Sequence, residues 1–249
     1  FNNIKFNGLE NFRRLFSEKT FAIAIKNTFY FAIVTVLIKN VFGFLMALIV
    51  KKTSKFNTLL RAVVFLPMTI SVMVVAIIFV SIYNPTNGII NEGLRAIGLD
   101  SLTRDWLFDA RYSMNSICLM DIWQGTGFTM CVMISGLQAI PTDYYEAAKI
   151  DGADKWQQLR YVTLPLLISS ITISLVFNII SGFKVFAQVY STTNGGPADS
   201  THVLGTFLFK SFGNGFLAYS AAVGLFTTVL IVALSMTLLA ILRKREVEY

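Results

Sequence analysis

Asp121, Gln124, Gly125 and Phe128 stand at i, i+3, i+4 and i+7 of one apolar run, so a helix would present them on a single face. The next apolar run repeats that spacing with Ser174, Asn178, Ser181, Gly182 and Val185. A polar group in hydrocarbon is costly unless it is paired or meets water, so such stripes either line a passage or tie helices together. The chemistry open to them is recognition of a hydroxyl-rich solute rather than bond making. Asp121 can accept two hydroxyl hydrogen bonds, Gln124 and Asn178 can each donate and accept, and Phe128 offers an apolar plate to C–H groups. Gly125 and Gly182 leave space beside them.

Nothing else in the chain suggests a reaction centre. His202 is the single histidine, no cluster has metal-ligand spacing, and no catalytic set is assembled around a nucleophile. Cys118 and Cys131 share one apolar run, which argues against a structural disulfide. No glycine is followed by lysine, so the phosphate-binding G-x-x-x-x-G-K-[ST] loop is absent and this chain cannot handle ATP in the usual way.

The elements that must position the two stripes are membrane helices. The 249 residues are 55% hydrophobic and 14% charged, with a mean hydropathy of +0.63, too apolar for an ordinary soluble domain. The net charge of +7 comes from basic residues scattered beside apolar runs, a pattern suited to anionic lipid head groups and not to nucleic acid. Five runs are long enough to span: 21–50, 59–83, 112–137, 166–190 and 216–242. Pro67 is expected to bend the second, and Pro165 suits the first turn of the fourth. Residues 84–111 read as an extramembrane loop with a short helix, and 191–215 as a glycine-rich loop. Lys39 lies midway along the first span. Snorkelling, pairing with a buried acid such as Asp121, and abutting a partner subunit all suit it. No signal peptide is recognisable at the start, and the whole reads as one all-α membrane domain, 1–249.

Between the third and fourth spans lies a polar island, 141–165. Asp143 followed by Glu146 has the form of an N-cap with a returning acid, Ala147 and Ala148 give a helix face with little bulk, and Gly152 can supply a left-handed end. A stubby helix that another protein could grip is the result.

At this spacing, Glu146-Ala147-Ala148, Asp151-Gly152-Ala153 and Leu164-Pro165 resemble the EAA loop of importer-type ABC transporter permeases. Thr193-Asn194-Gly195-Gly196-Pro197 resembles a second signature, found in the maltose-permease-like branch that imports sugars. The similarity runs from about Gly8 to the C-terminus, with Leu159 where the family often has Phe.

The resemblance implies a type I importer permease fold with six membrane helices natively and five in this chain, a helix being expected before a segment like Phe6–Phe16. It implies that Glu146, Ala147, Ala148, Asp151, Gly152, Ala153, Leu164 and Pro165 form the cytoplasmic coupling loop to a separate ATPase dimer, which holds ATP and Mg. It also implies a second homologous permease, an extracytoplasmic solute-binding protein, a di- or oligosaccharide substrate met by the two polar stripes, and the cell membrane of a prokaryote. Residues 1–20 would then be extracytoplasmic. Lys and Arg summed over the two sides nearly tie, but the clusters 51–55 and 243–245 fall on the side of the Glu146 loop, which makes that side and the C-terminus cytoplasmic. The competing reading is an ion-coupled secondary transporter, which normally has internal repeats, broken spans and greater length.

Overall fold

The computed structural model describes residues 7–244; Phe6 and Arg245, named above, lie outside the described residues. Every regular element among them is helical. In chain order these are α1 (Glu10–Ser17), α2 (Lys19–Val50), α3 (Lys55–Thr69), α4 (Val72–Ile82), α5 (Ile89–Ala96), α6 (Ser113–Ala139) and α7 (Thr142–Ile150). There follow α8 (Lys155–Gln158), α9 (Leu164–Leu166), α10 (Ile168–Phe183), α11 (Ala187–Thr192), α12 (Leu204–Gly213) and α13 (Leu217–Arg243). Among the described residues, α2, α6 and α13 are each long and apolar enough to cross a membrane, and two bent pairs raise the number to five. Leu225, Val229, Val232 and Met236 on α13 are exposed, as suits a helix whose solvent is hydrocarbon or a neighbouring subunit.

The bent pairs revise the sequence reading. The span expected over 59–83 is α3 and α4, turned by 99°. The break is not at Pro67 but just beyond it, where Ile70 is extended (φ −84°, ψ 139°) and Ser71 caps α4. The span expected over 166–190 begins at the end of a segment, Lys155–Leu166, bent by 63° from α10. A second interruption at 184–186 separates α10 from α11. The loop expected over 191–215 contains α12, a helix of ten residues.

The described chain divides into two compact units. One comprises 7–33, Ser71–Asp121 and Ser181–Val232, with Leu15, Phe21, Leu204, Phe207, Tyr219 and Val223 buried together as its core. In it α11 packs on α4, and the Tyr83 hydroxyl donates to Ser116 O at 2.9 Å. The other comprises Val34–Ile70, Ile122–Ile180 and 233–244, with Ala47, Val50, Met130, Met133, Ile134, Leu137 and Leu167 at its centre. There the helices meet closely at glycines. A Cβ on Gly43 would meet Thr129 Cγ2 at 2.5 Å, and one on Gly136 would meet Leu167 Cδ1 at 2.7 Å. Small residues at such crossings let membrane helices gain dispersion energy where no hydrophobic drive acts between them.

Candidate functional site

The polar island folds into a hairpin built from α7, α8 and a π turn over Leu159–Thr163. The helix starts differently from the expectation. Pro141 (φ −58°, ψ 142°) is the N-cap and offers no side-chain bond, so Asp143 sits in the first turn, where it can only complement the helix dipole. A proline whose ψ is extended leaves the next residue as the first helical one, which places the start ahead of Asp143. The reciprocal capping box falls eleven residues later instead: Asp154 Oδ1 accepts from Gln157 N at 2.7 Å, and Gln157 Oε1 accepts from Asp154 N at 2.8 Å.

The end of α7 is as expected and closes in a Schellman motif. Gly152 adopts φ +80°, Gly152 N donates to Lys149 O at 3.0 Å, and Ala153 N donates to Ala148 O at 2.8 Å. Asp151 is thus the C-cap, Gly152 the left-handed residue and Ala153 the residue that locks it. Glu146 and Ala147 are exposed and Ala148 half-buried, so the small face is open. On the same hairpin Ile150, Trp156 and Tyr161 are 86%, 67% and 68% exposed, large apolar side chains left open on a polar segment. Leu164 and Pro165 lie in α9; lacking an N–H, Pro165 cannot bond Tyr161 O, and the π turn precedes it. Two contacts that the sequence reading missed hold the hairpin together. Tyr145 Oη on α7 lies 3.1 Å from Thr163 Oγ1 in the π turn, and Gln158 Nε2 donates to Ala153 O at 3.0 Å.

The two stripes are distributed over both units. In the first, Asp121 is buried and its Oδ1 accepts from Gln188 Nε2 at 3.0 Å, Gln188 being buried on α11. Ser181 is half-buried, and Gly182 and Val185 are buried at the end of α10 and the break after it. In the second, Gln124 Nε2 donates to Ile70 O at 2.9 Å, which satisfies a carbonyl released by the break between α3 and α4. The Lys39 side chain is buried against Gly125: a Cβ there would meet Lys39 Cε at 2.8 Å, so Lys39 does not snorkel. Phe128 packs on Phe177 with ring centroids 4.1 Å apart. Asn178 donates from Nδ2 to Thr129 Oγ1 at 3.0 Å and toward Ser174 Oγ at 3.4 Å, and Ser174 Oγ donates to Asn40 Oδ1 at 2.7 Å. Asn40 and Gln188 were absent from the sequence reading, although each is a polar residue inside an apolar run, the signal used for the others.

Thr193-Asn194-Gly195-Gly196-Pro197 opens a tightly wound loop in the first unit. Asn194, Ala198 and Asp199 all have positive φ, and Gly195 has φ +90°. His202 is 2% exposed with Nδ1 at 2.7 Å from Thr206 Oγ1. Burial and then the Lys210 ammonium hold its pKa below the ordinary imidazole value. In the loop before α6, the Arg111 guanidinium bonded to Asp109 lowers the pKa of that carboxyl.

Long apolar helices with buried polar ties, and an open helical knob in the chain between two of them, suit a transport permease. The chain belongs to the binding-protein-dependent transport system inner membrane component family, whose model matches residues 39–247. It is 37% identical over 94% of its length to a probable ABC transporter permease, YurN, of Bacillus subtilis, covering 80% of that protein. It is 31% identical over 97% of its length to the trehalose/maltose transport system permease MalF of Thermococcus litoralis, covering 81% of it. A crystal structure of a bacterial ABC transporter involved in alginate import superposes with a TM-score of 0.85 at 25% identity, over 96% of this chain and 84% of that one. The chain is therefore a membrane-embedded permease subunit of an ABC importer, a component that is not itself catalytic.

Proposed function

We propose that this permease carries a di- or oligosaccharide and is driven by a separate ATPase dimer gripping the hairpin 141–165. The observation that carries the reading is the exposed, Schellman-closed helix α7, whose Glu146-Ala147-Ala148 face is small and open, on a hairpin that also exposes Ile150, Trp156 and Tyr161. ATP and Mg would be held by the ATPase, and its closure would move α7 and, through Tyr145 and Thr163, the start of α10. On this reading the hairpin and the C-terminus lie in the cytoplasm of a prokaryotic cell.

The carbohydrate class is supported by a relative named for trehalose and maltose and a neighbour involved in alginate import. The residue types of Asp121, Gln124, Gly125 and Phe128 on one run and Asn178, Ser181, Gly182 and Val185 on the next suit contacts to such a solute. The family's description supports delivery by a solute-binding protein, and the exposed apolar faces of α2 and α13 suit a second, homologous permease and lipid. The ion-coupled alternative gains the two broken spans it expects. At the first of these, however, Ile70 O is taken by Gln124 instead of being offered to an ion.

Membrane vesicles carrying the complete importer and its binding protein test the reading. Uptake of radiolabelled maltose or trehalose powered by hydrolysable ATP supports it. Uptake on an ion gradient alone overturns it.

A further inference from the structure

Both α2 and α13 are long and apolar enough to cross a membrane, and their first turns meet at α1. Leu15 of α1 is buried in one cluster with Phe21 of α2 and with Tyr219 and Val223 of α13, and Phe12 packs on that cluster. The chain is extended at Glu18 (φ −88°, ψ 122°), so it turns there and α1 does not continue the span. A short helix docked on the starting turns of two spans lies at the level of the lipid head groups.

The side chains of α1 are sorted by depth. The Arg14 guanidinium lies over Phe216 and Tyr219, 5.4 and 5.0 Å from the ring centroids, where α13 begins. Phe16 instead meets Phe21 and, further along α13, Phe226, with ring centroids 5.8 and 5.6 Å apart. Leu9, Arg13 and Phe16 are spaced i, i+4 and i+7 on an outward face, and Leu9 and Phe16 are 76% and 62% exposed. Apolar groups toward the span and guanidinium groups at its start are the arrangement of an interfacial helix.

The charge at this level is positive. Arg13, Arg14 and Lys19 are exposed, and among the described residues no carboxylate forms an ion pair with any of them. Of the acids nearby, Glu18 accepts from the Tyr219 hydroxyl and Glu10 stands at the start of α1. Neither α2 nor α13 has an acidic residue in its first turn, so both helices present uncompensated positive dipole ends here.

We infer that α1 is a binding site for an anionic phospholipid. Arg13, Arg14 and Lys19 hold its phosphate, and its acyl chains lie along Leu9 and Phe16. The oxygens of a phosphodiester match the fork of a guanidinium, which two of the three basic residues supply. A zwitterionic lipid brings its own ammonium group and gains little from this charge, so the site selects by headgroup. The bound lipid ties the shared start of α2 and α13 to the surface of the bilayer.

The test uses the complete importer in phosphatidylcholine nanodiscs, with Phe16→Trp as reporter and bromine on the acyl chains of either phosphatidylglycerol or phosphatidylcholine as quencher. The importer without Phe16→Trp supplies the background emission. Half-maximal quenching of the added Trp is expected at a roughly tenfold lower fraction of brominated phosphatidylglycerol than of brominated phosphatidylcholine, since each basic side chain at an anionic surface is worth about fivefold. Arg13→Gln with Arg14→Gln is expected to remove this preference, and Arg13→Lys with Arg14→Lys to keep part of it, because the charge stays while the fork is lost. Excess inorganic phosphate should leave the quenching in place, which separates a lipid headgroup from a free anion. Co-purification of the ATPase checks the assembly of each variant. Equal quenching by the two lipids, or a preference that survives Arg13→Gln with Arg14→Gln, overturns the site. So does quenching by neither lipid, which would show that protein covers α1, or reversal of the quenching by phosphate.

Discussion

Tyr145 and Thr163, eighteen residues apart, share a hydroxyl pair at 3.1 Å that ties α7 to the π turn leading into α10. Thr163 is buried and its Oγ1 also bonds Gln158 O at 3.3 Å, so the pair is a fixed joint between the exposed knob and a membrane helix. Because a π turn is wider than an α turn and precedes the bend at Leu167, a push on α7 can be delivered to α10 there.

Tyr145→Phe removes this joint and little else. Loss of one neutral hydrogen bond is expected to cost about 1 kcal/mol of stability, too little to unfold the chain. ATPase association should persist while solute moved per ATP hydrolysed falls. An unchanged transport-to-hydrolysis ratio in proteoliposomes would remove Tyr145 from the coupling route.

Gly152 has open space where a Cβ would stand, so its replacement meets backbone strain and no clash. Gly152→Val is expected to cost about 1–2 kcal/mol at a left-handed position and to misplace the end of α7, with ATPase co-purification and uptake both reduced. Gly152→Asn, which tolerates positive φ, should retain much of both. Glu146→Trp should weaken association without the strain, by filling the open face. If Gly152→Val and Glu146→Trp both assemble and transport normally, the hairpin is not where the ATPase grips.

These two predictions concern the part of the molecule most legible in the sequence, and the reason is locality. A left-handed glycine, a pair of alanines and a proline act on their own neighbours in the chain, so their spacing almost draws the hairpin. Asp143 misled because Pro141, two residues earlier, settles where α7 starts. The broken spans were illegible for the opposite reason. Pro67 marks a bend, yet the turn is completed at Ile70 and Ser71, and its released carbonyl is met by Gln124, 54 residues away. The polar stripes were found as polar residues in apolar runs. Their actual partners Asn40, Thr129 and Gln188 lie on other elements, and no periodicity within one helix reveals them.

Gln124 and Asn178 separate packing from transport. Gln124→Leu leaves Ile70 O without its donor at the break and is expected to destabilise by about 1–3 kcal/mol. A lowered midpoint of thermal unfolding in detergent would show this. Asn178→Ala and Asp121→Ala should lower uptake while ATPase assembly is preserved. Normal uptake by both would mean that these side chains only tie helices together.

His202 supplies a pH test of the loop that begins at Thr193. Its imidazole is held neutral first by burial and then by Lys210, with Asp199 and Glu18 pulling more weakly the other way. The folded pKa lies below the unfolded value of 6.5, so as the pH falls through that value the unfolded chain binds the proton first. The stability that the neutral ring contributes is therefore complete above the unfolded pKa and is lost on acidification toward the lower folded one. The midpoint of thermal unfolding should drop between about pH 7.5 and about pH 5.5, with a smaller drop in His202→Asn, which keeps a neutral polar side chain near Thr206. Equal slopes in the two proteins would show that His202 does not carry the acid sensitivity.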